Sequence, residues 1–494
     1  MRSHSSRYTH STYWNVLLVL MAMGASIALF LYGIHVPFHL RVRGDAAEYL
    51  SIASQFGSLS DALHYIGART PGFPLFDYLF IHQGASEPLE IGVNRICWAL
   101  FFIHEGTVVF LCWICSKLNL FPQHSIYYGL LFLLLAVYPA FVMHTTSPLT
   151  DTFGMDLLLI VFSLFAWSEC GAFKNNVTFI ILGVVSGVLL GYAVLVRPAY
   201  WVAATGFLLV YAVMACMNRK LCKEFNVYSR FIVVTSATMV FCALIWPVLF
   251  SCKAHYGSLC LENPGTFPLL RHVKDGLVGA RVLWNLYPTP LSIIPVVPDP
   301  FMVKFFYFRC PLVSIIGTNE QSLLGCLAQH PFHTVIFLLK KLIGFFDAFR
   351  ITPYTELVTP AWYVWVSRAF SSLAFVGFVI ALSQGVRSGW RLLVHRQPAS
   401  TPFTAAWFFC IILLATHTLL HVEERFILPC IPLCFIGLLL KAQELSGKGV
   451  STHPCHRWIW CLFSMMLIIL FFTQVLDWDS RVITTQGRFQ IRAP

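Results

Sequence analysis

Acidic and guanidinium side chains recur at the ends of apolar runs in this chain, and together they suggest phosphate and proton chemistry. Asp45 and Glu48 stand in Arg-Val-Arg-Gly-Asp45-Ala-Ala-Glu48-Tyr, and Arg69 opens Arg69-Thr-Pro-Gly-Phe-Pro. Asp151 closes Ser-Pro-Leu-Thr-Asp151, Arg197-Pro198 ends another apolar run, and Glu423-Glu424-Arg425-Phe426 separates two more. A carboxylate in such a set can take a proton from a hydroxyl. Guanidiniums can neutralise a departing phosphate.

Each residue also has a plain structural reading. Asp45 with Glu48 three positions on has the form of a capping box, and local chemistry alone favours a cap that leaves one oxygen for another role. Arg69 by itself reads as a snorkelling interfacial cation. Asp151 suits a helix N-terminus, where the backbone dipole favours negative charge. Arg197 lies deep in an apolar hairpin and needs a partner, either a protein carboxylate or a phosphate. Glu423, Glu424 and Arg425 also read as an ordinary charged turn, but one so short that its charges must lie at the membrane surface. His104 and Glu105 fall in the middle of an apolar run, where interhelical hydrogen bonds are the favoured role and a proton relay the alternative.

The elements that must hold these groups are transmembrane helices. The chain has 494 residues, 57% of them hydrophobic and 11% charged. Soluble domains carry about 25% charged residues, so the excess apolar surface here must face lipid. Apolar runs long enough to span occur near 14–34, 92–115, 125–143, 152–169, 177–196, 199–217, 230–250, 361–385, 403–421, 426–440 and 458–476. The expected fold is therefore all-α and polytopic, with about eleven spans. The run 14–34 follows a basic N-terminus but is long enough to span, and is read as a retained first helix rather than a signal peptide. The segment 331–346 carries Lys340 and Lys341 at its centre, so it is read as an interfacial amphipathic helix.

Lys and Arg in the short loops set the orientation. With the N-terminus cytoplasmic, Lys117, Lys174, Arg219, Lys220, Lys223, Arg230, Arg387, Arg391 and Arg396 fall on the cytoplasmic side. Asp45, Glu48, Arg69, Asp151, Arg197, Glu424 and Arg425 all fall on the opposite side. The chain then divides into a transmembrane module at 1–250 with an outer loop at 35–91, an outer segment at 251–360 that includes 331–346, and C-terminal helices at 361–494. Apolar positions Ala46, Tyr49, Leu50, Ala53 and Phe56 predict an amphipathic helix after Gly44 in the first outer loop.

The net charge of +11 sits in short interhelical loops, not in a basic domain, which argues against nucleic acid. Most of the 16 cysteines lie in apolar runs, where they act as small hydrophobes. Cys252, Cys260, Cys310 and Cys326 lie in the second outer segment. Cys252–Cys260 is the favoured disulfide because its loop is short, and four free thiols are the equal alternative. His453, Cys455 and His456 lie close together but lack further ligands for a metal. The sequon Asn176-Val-Thr178 falls on the cytoplasmic side in this orientation.

The order GDAAEYLSIA, RTPGFPLF, YPAF…SPLTD, GVLLGYAVLVRP and EERFILP resembles the GT-C glycosyltransferases, above all bacterial relatives of protein O-mannosyltransferases and lipid A aminoarabinose transferases (glycosyltransferase family 39-like). The likeness is best over residues 14–200, with a short echo at 423–432. It implies inverting transfer of a sugar from a polyprenyl-phosphate carrier to a lipid, glycan or protein acceptor. The setting it implies is the non-cytoplasmic face of a membrane such as a bacterial inner membrane. The expected catalytic set is Asp45, Asp151 and Glu48, of which Asp151 matches a family acidic position at the start of the fourth helix. Asp45 matches the family's first-loop Asp, at or near the catalytic base, and Arg425 matches the Arg of a late Glu-Arg-aromatic motif. Arg69, Arg197 and Arg425, with Glu424 beside them, are assigned to the donor phosphate. Arg69 precedes Thr-Pro-Gly-Phe-Pro where the family has a basic residue before paired prolines, a departure at that position. Some relatives use a divalent metal and others none, so no metal ligand is assigned. Two further functions fit a polytopic chain: a lipid-linked saccharide flippase or transporter, and a surface-glycan ligase or polymerase. The first would move its substrate across vesicles unchanged; the first-loop Asp motif weighs against the second.

Overall fold

The computed structural model describes residues 3–42, 44–58, 60–61, 65, 67, 69–81, 87–122, 125–169, 175–218, 227–261, 279–282, 296–298, 361–393, 401–418, 425, 427–446 and 464–469, with a few more between 329 and 346 and at 462. The helices in chain order are α1 (Ser3–Ile34), α2 (Phe38–Arg41), α3 (Asp45–Ala53), α4 (Gly72–Ile81), α5 (Leu89–Lys117), α6 (Tyr127–Ala136) and α7 (Pro139–His144). They continue as α8 (Thr150–Ser168), α9 (Asn176–Val196), α10 (Trp201–Asn218), α11 (Val227–Tyr256), α12 (Ala361–Leu393), α13 (Thr401–Thr418) and α14 (Ile431–Ser446). The only strands among the described residues form an antiparallel pair, β1 (Gly279–Val282) with β2 (Val296–Pro298), in register Val282 to Val296.

Among the described residues, eight segments are long and apolar enough to cross a membrane: Tyr13–Ile34, Leu89–Lys117, Thr150–Ser168, Asn176–Val196, Pro198–Cys216, Tyr228–Tyr256, Trp362–Val386 and Leu428–Ser446. The count differs from the expected eleven because one run is broken and two others lie partly outside the described residues. The run expected at 125–143 breaks at Tyr138-Pro139, with Tyr138 extended (ψ 114°) and Pro139 opening α7. A residue before proline is pushed out of the helical region, so one apolar run becomes two shorter helices. The apolar stretch expected at 403–421 is α13, Thr401–Thr418, and 419–421 lie outside the described residues. Of 458–476 only 462 and 464–469 are described, all helical, and most of 331–346, with Lys340 and Lys341, lies outside the described residues.

Burial ranks the helices. The span in α8 has 83% of its apolar window buried, against 28% for α1, so α8 runs through the centre and α1 lies at the rim. Accordingly α1 exposes Val16, Leu17, Leu20 and Met21, side chains that only lipid can cover.

Small residues let helices approach closely, since lipid tails are as apolar as Leu and packing must drive association. Gly183, Gly187 and Gly191 repeat every fourth residue on α9 and face α11. A Cβ at Gly183 would come 2.6 Å from the Val233 carbonyl oxygen, and one at Gly187 2.5 Å from that of Ala237. Two polar links join helices within the bundle. His104 Nδ1 on α5 lies 3.1 Å from Asp156 Oδ1 on α8, and the Ser26 hydroxyl on α1 donates to Glu105. Mid-run His104 and Glu105 thus make the interhelical bonds favoured for them.

Candidate active site

Gly44 adopts a positive φ of 54°, a conformation natural to glycine, and is the residue from which α3 departs. The Glu48 amide donates to the Gly44 carbonyl at 3.2 Å. Asp45 is therefore the first residue inside the helix, one position past the cap. The expected capping box does not form, because Gly44 holds the cap position and both carboxylates turn to arginine. Ala46, Tyr49, Leu50 and Ala53 are buried, as the amphipathic pattern predicts.

Arg69 reaches both acids of α3. Its Nη2 donates to Asp45 Oδ1 at 2.6 Å and its Nε to Glu48 Oε2 at 2.9 Å. The guanidinium also lies 5.6 Å from the centre of the Tyr49 ring, a cation–π distance. Burial disfavours its charge, but Asp45, Tyr49 and Glu48 more than offset this and raise its pKa above the ordinary arginine value. This replaces the snorkelling cation suggested by local chemistry. Nearby, burial first and Glu48 and Tyr256 next push the Tyr65 hydroxyl above its usual range, so that it stays neutral.

The segment after Arg69 is stitched to α9. A Cβ at Gly72 would lie 2.5 Å from the Leu195 carbonyl carbon, so only glycine fits without movement. The Tyr192 hydroxyl donates to the Gly72 carbonyl oxygen at 2.9 Å. This contact brings the first loop beside the end of α9, where Arg197 takes the extended conformation (ψ 94°) expected before Pro198.

Asp151 is the second residue of α8 and is fully buried. Arg197 Nη1 donates to its Oδ1, and the Arg197 guanidinium lies 5.8 Å from the Tyr200 ring centre. His144 Nδ1, from the end of α7, lies 3.6 Å from Asp151 Oδ2. Arg425 joins the two halves: its Nη1 donates to Asp45 Oδ2 at 2.9 Å and stands 3.8 Å from Asp151 Oδ2. A single alternating row results: Glu48, Arg69, Asp45, Arg425, Asp151, Arg197. It closes a gap of 380 positions between Asp45 and Arg425.

Asp45, Glu48, Arg69, Asp151, Arg197 and Arg425 therefore converge. Glu423, Glu424, Arg43, His453, Cys455, His456, Cys310 and Cys326 lie outside the described residues. Two neighbours carry no signal in sequence. His144 looks like any residue of an apolar helix. Arg41 reads as a loop cation but is buried: its Nε donates to the Val36 carbonyl at 3.0 Å and its Nη2 to Asn94 Oδ1 at 2.8 Å, which ties α2 to α5. Cys252 and Cys260 form a disulfide with Cα atoms 5.5 Å apart, an ordinary span for such a bond.

The donor set suits anions better than cations. Oxygens of Asp45 and Asp151 that would ligate a divalent ion face guanidiniums instead, and no metal-competent group of three or more His, Cys, Asp or Glu occurs among the described residues.

Fold and site define a polytopic helical membrane protein with a buried carboxylate–guanidinium row at one end of its bundle. No protein-family model matches the chain, and no curated protein does. Among solved structures it is similar to the oligosaccharyltransferase of Archaeoglobus fulgidus. With the apo form it shares 12% identity at a TM-score of 0.49. With that enzyme, AglB, in complex with an inhibitory peptide and a dolichol-phosphate it shares 13% identity at a TM-score of 0.48. Each alignment covers 95% of this chain and 56% of the other, so the chain spans little more than half the length of those proteins. With TM-scores below 0.5, the chemistry of the site is read from this chain's own residues.

Proposed function

We propose that this chain is a GT-C-type membrane glycosyltransferase that moves a sugar from a polyprenyl-phosphate carrier to a lipid, glycan or protein acceptor on the non-cytoplasmic face. The observation that supports this most is the alternating row itself, in which Arg425 stands between Asp45 and Asp151. Carboxylates can take a proton, guanidiniums can hold a phosphate, and the apolar helices alongside suit an isoprenoid tail.

In the proposed reaction the acceptor oxygen attacks the anomeric carbon and its proton passes to Asp45. The bond between that carbon and the phosphate oxygen breaks, and the electron pair leaves with the phosphate. Arg69 and Arg425 neutralise the developing charge, with Arg197 supporting from Asp151. Attack opposite the leaving group inverts the anomeric centre. The Cys252–Cys260 disulfide favours an oxidising compartment for the end of α11, in keeping with the outward orientation and with a bacterial inner membrane.

A second reading, a lipid-linked saccharide flippase, draws on the ionisable side chains His104, Asp156 and Glu105 within the bundle. Purified protein in vesicles separates the two. A transferase converts a polyprenyl-phosphate sugar to free carrier phosphate plus glycosylated acceptor. Recovery of intact donor on the far side of the bilayer, with no covalent change, would favour the flippase.

A further inference from the structure

We propose that the charge row is a latch that the donor's phosphate opens, so that carrier binding unmasks Asp45; this rests on the reading of the site as a polyprenyl-phosphate binder. Each guanidinium in the row is already committed to protein. Arg69 holds Asp45 and Glu48, Arg425 holds Asp45 and faces Asp151, and Arg197 holds Asp151. An arriving phosphate must therefore take a guanidinium from a carboxylate.

Burial separates the two carboxylates that share Arg425. The Asp151 side chain is 0% exposed, bonded to Arg197 and faced by His144. Stripping it would leave a charge stranded in the interior, which is costly. The Asp45 side chain is 18% exposed, and its partners Arg69 and Arg425 are 16% and 10% exposed. Glu48 is more exposed, at 34%, but it holds Arg69 alone, so a phosphate that bridges Arg69 and Arg425 exchanges with Asp45, the carboxylate both of them share. Before exchange, each Asp45 oxygen accepts from a guanidinium, which lowers its basicity toward an acceptor hydroxyl. After exchange, Arg69 and Arg425 face the phosphate and an Asp45 oxygen turns to the acceptor. The base is thus armed only when the donor is in place, and donor binds before acceptor.

The test is binding of a short carrier, farnesyl phosphate, to full-length protein in detergent, with phosphatidic acid and inorganic phosphate as parallel arms. Asp45→Asn removes the competitor for both arginines and is expected to bind farnesyl phosphate at least about tenfold tighter than the wild type. Arg69→Met is expected to bind it weaker. Equal gains for phosphatidic acid or inorganic phosphate would locate a general phosphate site and overturn the assignment to the carrier. A second readout uses the unmodified chain: carbodiimide labelling of Asp45, read by peptide mass spectrometry, should rise when farnesyl phosphate is added. Labelling that falls or stays constant, or Asp45→Asn binding no tighter at an unchanged melting temperature, overturns the latch. Neither readout needs sugar transfer, so a chain that fails to transfer yet exchanges partners would refute the proposed reaction alone.

Discussion

Arg197 and Asp151 form the buried end of the charge row, and their energetics differ from those of a surface pair. Removing one partner of a buried pair leaves an unpaired charge and costs about 3–5 kcal/mol. Arg197→Met should therefore lower the melting temperature sharply, and Asp151→Asn added to it should restore part of the loss, as a thermal-shift double-mutant cycle would read. Strictly additive losses would mean the two side chains do not act on each other. Asp77 on α4 is the contrasting case. Both of its oxygens are buried with no hydrogen-bond partner among the described residues. Replacing an unsatisfied polar group by an apolar one is neutral or stabilising, so Asp77→Leu is expected to hold or raise the melting temperature. A fall of several degrees would reveal a partner for that carboxyl. At this scale much was legible in sequence: the acids and arginines were conspicuous because charge is scarce in this chain. What local sequence could not tell was pairing. Asp45 and Glu48 fit a capping box by spacing, and the positive φ of Gly44, Arg69 from the same loop and Arg425 from far along the chain turn them elsewhere.

Helix pairs carry their own tests. Gly187 approaches the Ala237 carbonyl so closely that Gly187→Leu must push α9 from α11. Overpacking of this kind costs about 1–3 kcal/mol or more. The variant should lose thermal stability and insert poorly, while Gly24→Leu, where nothing lies within 4 Å of the added carbon, should be tolerated. Equal behaviour of the two would contradict the packing described. The end of α11 has a further test in its disulfide, Cys252 with Cys260. Membrane-impermeant maleimide applied after reduction to intact cells should label these two thiols and leave buried Cys97 and Cys434 unlabelled. Labelling only after permeabilisation would reverse the orientation. Hydrophobic runs located most helices to within a few residues, because α-helices are what a bilayer tolerates. The run before Asp151 misled for a local reason, since Pro139 breaks an otherwise continuous apolar stretch and creates α7, which carries His144 to the site.

At the scale of the whole molecule, groups from α3, the Arg69 segment, α8, the end of α9 and the turn before α14 meet in one row at one end of the bundle. Loop charges alone put them on one side of the membrane, which is how the shared face was legible before any contact was known. Direct contact is a tertiary property that no window of sequence contains. If that row performs glycosyl transfer, losing the Asp45 carboxylate should reduce the rate by roughly 10²–10⁴ while the protein still folds and inserts. The most direct measurement is mass spectrometry of membrane glycolipids and glycoproteins from cells without the protein, with it, and with Asp45→Asn at equal abundance. A sugar-sized mass increment present only with the wild type is expected. An increment that persists with Asp45→Asn, or identical profiles in all three cells, would contradict the account.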